Sequence, residues 1–331
     1  MRENMKCLGI ESTAHTLGCS IVDSKCNVFA NEKDAFKPEH GGILPREAAD
    51  HHYAISKTVI QNALEKANCK IKDIDLIAFS QGPGIGNCLK VGAITARTLA
   101  LLNNIPILGV NHCVGHIEIG LAKTKAKDPV IVYASGANTQ IMAFENCRYR
   151  IFGETIDIGI GNLLDSFGRE LNIGFPAGPT LDSWYLENNK YIELPYTVKG
   201  SDLAFSGLLT AAKNKLLDKH NSEKDVSYSL LHNAFAMLTE VTERVIAHTE
   251  KKEVLLTGGV AASRALRKML AEMCESRGAK VFVPETQFCT DNAAMIAWLG
   301  IIMHKAGNRM QMKETQILPN QRADDINVNW K

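Results

Sequence analysis

The first half of the chain alternates short apolar runs of strand length with longer segments that have helical periodicity. The predicted strands are residues 7–10, 17–23, 74–80 and 105–110, and the predicted helices are 46–67 and 88–102. Pro45 directly precedes the first helical segment, where a first-turn proline is well tolerated. This alternation of strands and helices is typical of an α/β protein.

The second half repeats the alternation and adds a mainly helical stretch. The predicted strands are 129–133, 141–144, 253–256 and 281–283, and the predicted helices are 162–171, 180–188, 208–217, 227–249, 263–276 and 293–304. Residues 194–206 are predicted to be irregular with short strand pieces. The helices between about residues 160 and 250 therefore form an insertion before the last α/β unit.

A strand, a polar turn and a returning strand occur near the N-terminus and again about 124 residues later, a spacing too long for a solenoid. We therefore predict an internal duplication. Because 331 residues exceed the size at which one core usually stops growing, we predict two lobes, 1–128 and 129–331. The last helix is the element expected to pack back on the first lobe.

The charge balance bears on nucleic-acid binding. The formal net charge is +1, which is not the signature of a protein that binds nucleic acid through bulk electrostatics. If RNA is a partner, a local patch or another subunit must supply the attraction.

Cysteine usage and the absence of long apolar runs indicate a compartment. The nine cysteines are odd in number, scattered, and contain no Cys-x-x-Cys pair, which favours free thiols in a reducing cytosol. No apolar run approaches the roughly 20 residues that a membrane helix needs. Residues 1–6 are polar and lead into a strand, so we expect no signal peptide and a cytoplasmic location.

The strongest chemical signal is a histidine pair, His112 and His116. Residues at i and i+4 lie one turn apart on the same face of a helix, so both imidazoles can face one ion. Two histidines are half of a metal site, which needs further ligands. The adjacent His51 and His52 face different directions, and for them a solvated or half-buried position is favoured over metal binding.

Three other features have two interpretations each when taken alone. The turn at residues 11–16 either offers donors to a phosphate or uses its hydroxyls for local hydrogen bonds. The second interpretation, local hydrogen bonding, is favoured. The glycine-rich turn 82–86 either approaches an anion at a helix start or needs positive φ. Asp291 stands at a helix start, where an N-cap is favoured over a metal ligand.

Together these motifs resemble one family, over about residues 7–330. The residues that carry the resemblance are Glu11-Ser12-Thr13-Ala14-His15-Thr16, Gly82-Pro83-Gly84, His112 with His116, Tyr133, Ser135-Gly136-Ala137-Asn138-Thr139-Gln140, Gly161-Asn162 with Asp165, Ala204-Phe205-Ser206-Gly207, Gly258-Gly259-Val260-Ala261 and Asp291-Asn292. The sequence is similar to the TsaD family of tRNA N6-adenosine threonylcarbamoyltransferases. Within that family it most resembles the archaeal-type branch, the catalytic subunit of the KEOPS complex.

The resemblance implies an α/β fold of the actin-like ATPase superfamily: a duplicated fold with two lobes, an interlobe nucleotide cleft and a helical insertion. It also implies a reaction. The threonylcarbamoyl group of threonylcarbamoyl-AMP moves to N6 of the adenosine 3′ of the anticodon, in tRNAs that read codons starting with A. No Ser-His-Asp or Cys-His nucleophile motif stands out, so we expect direct transfer without a covalent enzyme intermediate.

The resemblance also implies a ligand set. The metal ligands carried over are His112, His116, Tyr133 and Asp291, around one Fe²⁺ per subunit, with Zn²⁺ as the alternative. ATP or threonylcarbamoyl-AMP is the implied nucleotide ligand. The residues implied to bind it are Tyr133, Ala134, Ser135, Gly136, Ala137, Asp165, Gly178, Asp182, Gly258, Gly259 and Ser263.

This chain departs from the family pattern at several positions. Ala137 replaces a glycine, and a position that requires positive φ would be strained by alanine at about 1 kcal/mol. Asp182 stands where the family has glutamate, and Ser263 where it has asparagine. Ala177 replaces the first glycine of a Gly-Gly-Pro loop. We expect these changes to affect nucleotide binding but not the fold.

The partners implied are tRNA, KEOPS subunits that include a small atypical protein kinase (separate or fused C-terminally), and a threonylcarbamoyl-AMP synthase that supplies the donor. No membrane is implied. Three other functions stay open at this point: a metallopeptidase, a sugar or acetate kinase, and a non-catalytic nucleotide-binding scaffold that regulates a partner kinase. The peptidase lacks support because no His-Glu-x-x-His occurs and Glu118 follows the second histidine.

Overall fold

The computed structural model describes residues 4–38 and 42–331, so the first three residues of the polar start lie outside the described part. By their contacts the residues group into two compact units. The first contains the described part of Met1–Lys123 with Asn146–Tyr149 and Asp291–Lys331, and the second contains Thr124–Glu145 and Arg150–Thr290. The chain therefore returns to the first unit at its C-terminal end. The predicted lobe boundary after residue 128 stays a prediction.

The first unit is built on a five-stranded sheet. Its strands are β1 (Lys6–Glu11), β2 (Thr16–Asp23), β3 (Val28–Ala35), β4 (Leu76–Gly82) and β5 (Ile107–Asn111). The strand order is β3-β2-β1-β4-β5. The β1–β2 and β2–β3 pairs are antiparallel, and the β1–β4 and β4–β5 pairs are parallel. β1 is therefore the central strand, and the carboxyl ends of β1, β4 and β5 meet at one edge.

Three helices follow these strands: α1 (Pro45–Lys66), α2 (Gly86–Asn103) and α3 (His112–Lys123). Pro45 occupies the first turn of α1, as predicted. Apolar side chains of β1 and β4, such as Ile10 and Phe79, pack with Ala93 and Ala96 of α2 in a buried core. The alanines keep the helix close to the sheet.

The second unit contains a second five-stranded sheet, a small two-stranded sheet and most of the helices. Its strands are β6 (Val130–Ala134), β7 (Thr139–Glu145), β8 (Arg148–Glu154, whose first two residues group with the first unit), β9 (Val198–Lys199), β10 (Asp202–Leu203), β11 (Glu253–Thr257) and β12 (Lys280–Phe282). Its helices are α4 (Ile160–Glu170), α5 (Gly178–Glu187), α6 (Ser206–Leu216), α7 (Glu223–Thr249), α8 (Arg264–Ser276) and α9 (Thr286–Cys289). α4 to α7 confirm the predicted helical insertion, whose apolar faces pack with β6 and β11 in one core.

The two larger sheets share one strand order. The second sheet runs β8-β7-β6-β11-β12, which corresponds strand by strand to β3-β2-β1-β4-β5. In both, the central strand pairs antiparallel with its successor and parallel with a later strand. The same order in two sheets is what a duplicated α/β unit predicts.

Two strands were missed by the sequence patterns, β3 and β8. Both lie at a sheet edge, and both carry charged side chains on partly exposed positions. An edge strand needs fewer apolar residues than a central strand and tolerates charge. The apolar periodicity that identified the other strands is therefore weak in these two.

The last long helix, α10 (Ala293–Lys305), belongs to the first unit and lies directly on β1. A Cβ built at Gly9 would lie 2.6 Å from the backbone nitrogen of Ala297. Only glycine permits this approach, and it brings the start of α10 to the end of β1. Among the helices of the described residues, none combines the length and the apolar character that crossing a membrane requires.

Candidate metal centre and nucleotide-binding residues

The histidine pair lies at the start of α3, which a single asparagine positions. Asn111 ends β5, and its Oδ1 accepts the Val114 backbone N–H at 3.0 Å, which caps the helix. His112 is therefore the first helical residue and His116 lies one turn further on. Their ring centroids are 4.8 Å apart, and the residues are 6% and 0% exposed.

Asp291 does not cap a helix, so the interpretation favoured from the residue alone was wrong. The cap of α10 is Asn292, whose Oδ1 accepts the Met295 backbone N–H at 3.1 Å. Asn292 stands directly before the first helical residue and has extended backbone angles, as an N-cap requires. The Asp291 carboxylate is thus one residue too early to cap, and it turns to the two imidazoles.

Three side chains converge on one point. Asp291 Oδ1 lies 3.5 Å from His112 Nε2 and 3.4 Å from His116 Nε2. The three candidate ligand atoms all lie within 4.8 Å of one another. Metal–ligand bonds of about 2.0–2.2 Å at tetrahedral angles place neighbouring ligands about 3.3–3.6 Å apart. The two distances from Asp291 match this spacing, which favours one ion held by the three side chains.

The chemistry of the donor set also fits a divalent transition metal. Two imidazoles and one carboxylate on one side of an ion leave coordination positions open, as in non-haem Fe²⁺ sites. The same donors suit Zn²⁺. Of the four predicted metal ligands, the structure brings these three together within the first unit.

The charges around the cluster favour a cation. Burial lowers the pKa of His112, but the carboxylates of Glu11 and Asp291 outweigh it and raise that pKa to about 9. Burial raises the pKa of the Asp291 carboxyl, yet the two imidazoles hold that pKa well below its usual range. The buried Glu11 carboxylate and the partly exposed Asp291 carboxylate flank the histidines, so positive charge at the centre of the cluster is stabilised.

A residue that sequence reasoning did not assign to the site is Glu11. It ends β1 and is fully buried, and its Oε2 lies 3.0 Å from His112 Nδ1. Its Oε1 accepts the Thr13 backbone N–H at 2.7 Å and the Thr13 hydroxyl at 2.5 Å. The sequence did contain a signal for this role, because a carboxylate stands at the end of a mainly apolar strand. A charge that is buried at such a position needs partners.

The turn at residues 11–16 makes hydrogen bonds within itself and one to the neighbouring strand β4. The Ser12 backbone N–H donates to Ser80 Oγ at 3.0 Å, and both Thr13 donors bind Glu11. The Thr13 contacts match the favoured interpretation of local hydrogen bonds, whereas the Ser12 contact reaches a residue 68 positions away. In the turn 82–86 no glycine has positive φ. Gly84 is instead required because a Cβ there would meet the Thr13 backbone.

Tyr133 lies on β6, in the second unit, and is fully buried. It pairs in register with Gln140 of β7 and Thr257 of β11. The other three predicted ligands belong to the first unit. Its role as a fourth metal ligand stays a prediction.

The turn between β6 and β7 is held by its own backbone and by the start of α4. The Ser135 hydroxyl donates to the Asn138 carbonyl at 3.1 Å. The carbonyls of Ser135 and Gly136 accept the backbone N–H groups of Gly161 and Asn162 at 3.0 and 2.9 Å. Ala137 does not have positive φ, so the prediction that alanine would strain the backbone at this position is wrong.

The remaining predicted nucleotide residues surround the starts of α5 and α8. Asp165 Oδ1 accepts the Ala177 N–H at 2.9 Å, just before Gly178 begins α5. Asp182 accepts the Ser263 hydroxyl at 2.5 Å and the Ala265 N–H at 3.1 Å.

Ser263 is itself the N-cap of α8, so its hydroxyl links the two helix starts. Gly258 has a φ of +93° and approaches the Ala134 carbonyl too closely for a Cβ. Gly259 begins the short 3₁₀ turn that follows. The structure brings Ala134 and Gly258 together, and likewise Asp182 and Ser263. Their binding of a nucleotide stays a prediction.

Residues 26–298 match the family model described as TsaD, tRNA N6-adenosine threonylcarbamoyltransferase. The tRNA N6-adenosine threonylcarbamoyltransferase of Thermococcus kodakarensis is 53% identical over 329 residues, which cover 98% of this chain and 100% of that protein. The chain belongs to this family.

Other relatives are longer. A probable bifunctional tRNA threonylcarbamoyladenosine biosynthesis protein of Methanocaldococcus jannaschii is 52% identical over 98% of this chain, but the match covers 60% of that protein. The chain spans about 60% of the length of several curated relatives that it matches.

Solved structures of low identity share the fold. HypF of T. kodakarensis aligns with a TM-score of 0.63 and 16% identity, over 95% of this chain and 49% of that one. An ROK hexokinase of Thermus thermophilus aligns with a TM-score of 0.53 and 11% identity, over 91% of this chain and 99% of that one. These neighbours confirm the predicted α/β fold class.

Glu118, the carboxylate nearest to the histidine pair in sequence, is engaged elsewhere. Its Oε1 accepts the Tyr149 hydroxyl at 2.6 Å and the Trp330 indole N–H at 2.8 Å. A metallopeptidase base would have to reach a metal-bound water. These contacts and the family match both count against the peptidase alternative.

Proposed function

We propose that this family member transfers the threonylcarbamoyl group of threonylcarbamoyl-AMP to N6 of the adenosine 3′ of the anticodon, in tRNAs that read codons starting with A. The observation that carries the proposal is the convergence of His112, His116 and Asp291 on one point. It occurs in a chain that matches the family model over residues 26–298.

The proposed metal is one Fe²⁺ per subunit, with Zn²⁺ as the alternative. His112 and His116 would bind it through Nε2 and Asp291 through Oδ1, with Tyr133 as the fourth ligand. When bound, the ion supplies Lewis-acid polarisation of the carbamoyl carbonyl. Because the Asp291 carboxylate and the buried Glu11 carboxylate offset its charge, a divalent cation is stabilised at this position.

The proposed reaction exchanges one bond at the carbamoyl carbon. The adenosine N6 attacks this carbon, the bond from the carbon to the phosphate oxygen breaks, and AMP leaves with the electron pair while N6 loses a proton. AMP is a good leaving group and the exocyclic amine is a poor nucleophile, so the enzyme must mainly orient the two and stabilise the oxyanion. We propose direct transfer, without a covalent enzyme intermediate.

We propose that the nucleotide part of ATP or of threonylcarbamoyl-AMP binds the second unit. The turn 134–137 and the glycines Gly258 and Gly259 would take the phosphate and adenosine. Asp165, Gly178, Asp182 and Ser263 would take the ribose and base. In support, the Asp182 carboxylate accepts the Ser263 hydroxyl at the start of α8, so these two residues lie side by side.

The proposed partners are tRNA, the KEOPS subunits with their small atypical kinase, and a synthase that makes the donor, all in the cytoplasm. The net charge of +1 supports a need for other subunits in tRNA binding. The word bifunctional in the names of longer relatives supports a fused partner in those proteins.

The test is a modification assay with tRNA, threonine, bicarbonate, ATP, the synthase and the partner subunits, read by mass spectrometry of the tRNA nucleosides. The double variant His112→Ala/His116→Ala should lose bound metal and at least about 90% of activity, since two ligands are removed. The matched control is His220→Ala/His248→Ala, whose histidines are exposed and which should keep both.

Full metal content and activity in the first variant would refute the proposed metal centre. Steady phosphoryl transfer from ATP to a small molecule, with no modified tRNA, would favour the kinase alternative instead.

A further inference from the structure

We propose that Glu11 is a positioning residue of the metal centre, which fixes the imidazole of His112 with Nε2 as its ligand nitrogen. This inference rests on the metal centre of the proposed function and deepens it. Glu11 was not among the ligands carried over from the family resemblance, and its role follows from contacts between residues 101 positions apart.

The His112 ring lies between two carboxylates. Its Nδ1 is 3.0 Å from Glu11 Oε2, and its Nε2 is 3.5 Å from Asp291 Oδ1. An ionised carboxylate only accepts hydrogen bonds, so Nδ1 must carry the hydrogen in that contact. A neutral imidazole then has its lone pair on Nε2, which faces Asp291 and His116 and is the nitrogen available to an ion.

Glu11 is itself held rigidly. It pairs with Gly18 at the end of the central strand β1, and its Oε1 accepts both donors of Thr13. The Thr13 carbonyl in turn accepts the Ile85 backbone N–H at 2.7 Å. The carboxylate therefore cannot rotate away from His112 without breaking two further hydrogen bonds in a fully buried position.

A carboxylate on the second nitrogen of a metal-bound histidine orients the ring and increases the basicity of the ligand nitrogen. Loss of such a group typically weakens metal binding by about 10- to 100-fold. Glu11 also adds a negative charge to a buried site, which a divalent cation offsets. Both effects act in the same direction, towards tighter binding of the ion.

The experiment measures Co²⁺ binding to the purified full chain, by visible absorption and chelator competition, in wild type, Glu11→Gln and Glu118→Gln. Glu118 is the matched control: it is also a buried glutamate, on the same helix as both histidines, but its carboxylate binds Tyr149 and Trp330. Glu11→Gln should weaken binding by about 10- to 100-fold, and Glu118→Gln should leave the affinity within about threefold of wild type.

Equal affinity of Glu11→Gln and wild type would overturn the inference while leaving the metal centre intact. Failure of the wild type itself to bind Co²⁺ would refute the metal centre, and the inference with it.

A second measurement needs no variant at Glu11, so it decides the question even if that variant fails to fold. Long-range ¹H–¹⁵N spectra of the wild type with labelled histidines, loaded with Zn²⁺, report which ring nitrogen carries the hydrogen. His112 should carry it on Nδ1 with the metal on Nε2. The metal on Nδ1 would overturn the inference.

Discussion

At the scale of single residues, buried polar groups explain most of the site. His112, Asp291 and Glu11 form one hydrogen-bonded and ion-paired group in which each member has partners. Buried charges are stable only when they are paired. The arrangement therefore pairs the charges of the site and leaves two imidazole nitrogens directed to one point.

A titration prediction concerns His52, whose Nε2 lies 3.1 Å from the Ala14 carbonyl. Burial, followed by the neighbouring His51, lowers the pKa of His52 to about 4, whereas an unfolded histidine titrates near about 6.5. Between these values the unfolded state binds more protons, so stability falls as the pH falls. The contribution is complete above about pH 6.5, and about 2.5 kcal/mol of it is lost by about pH 4.5.

Urea unfolding at about pH 7 and about pH 4.5 checks this in wild type and in His52→Gln, which keeps an N–H donor but does not titrate. The wild type should lose about 2.5 kcal/mol more than the variant. Equal losses in the two proteins would show that His52 is not held neutral.

At the scale of elements, the ends of helices decide where the site lies. Asn111 caps α3 and Asn292 caps α10, so His112 and Asp291 each stand next to a cap. α10 packs closely on β1 at Gly9, and this packing fixes the start of α10 beside the start of α3. Neighbouring residues at one helix start, Asp291 and Asn292, thereby have separate roles.

This division predicts different effects of two substitutions. Asn292→Ala should lower the free energy of unfolding by about 1–2 kcal/mol, because the first turn of α10 loses its cap. It should also speed amide hydrogen exchange there while Co²⁺ binding persists. Asp291→Asn should weaken Co²⁺ binding by more than about 100-fold, since a direct ligand is lost, and leave exchange in that turn unchanged.

Hydrogen exchange by mass spectrometry and chelator competition measure the two effects in parallel. Faster exchange of α10 in Asp291→Asn, with normal exchange in Asn292→Ala, would mean that the two roles are reversed.

At the scale of the whole molecule, the fold alone does not determine the chemistry. HypF and the ROK hexokinase share the fold at 16% and 11% identity, and a shared fold does not fix a reaction. The family match and the converging side chains identify this chain more narrowly. Its near-neutral charge bears on the proposed partners, because tRNA is strongly anionic.

We predict that the chain alone binds tRNA weakly, with a Kd no tighter than about 10⁻⁶ M at physiological salt. Addition of the partner subunits should tighten binding and steepen its salt dependence, because basic surface is then supplied from outside the chain. Fluorescence anisotropy with labelled tRNA at two salt concentrations measures this. A duplex RNA of equal length is the control. Tight, salt-sensitive binding by the isolated chain would contradict the prediction.

Apolar periodicity determined much of the fold by itself. Central strands such as β1, β4 and β6 are buried along almost their whole length, so their apolar runs were readable. The edge strands β3 and β8 were not, because partial exposure lets polar residues occupy them. Helical spacing also placed His112 and His116 on one face without any tertiary information.

Only the tertiary structure decided what meets the histidine pair. Asp291 reaches His116 from 175 residues away, and Glu11 reaches His112 from 101 residues away. Whether Asp291 or Asn292 caps α10 depends on which backbone position begins the helix, and whether Glu11 is buried depends on the position of β1 in the sheet. Local sequence carries periodicity and capping preferences, but contacts between distant residues arise only when the strands and helices pack.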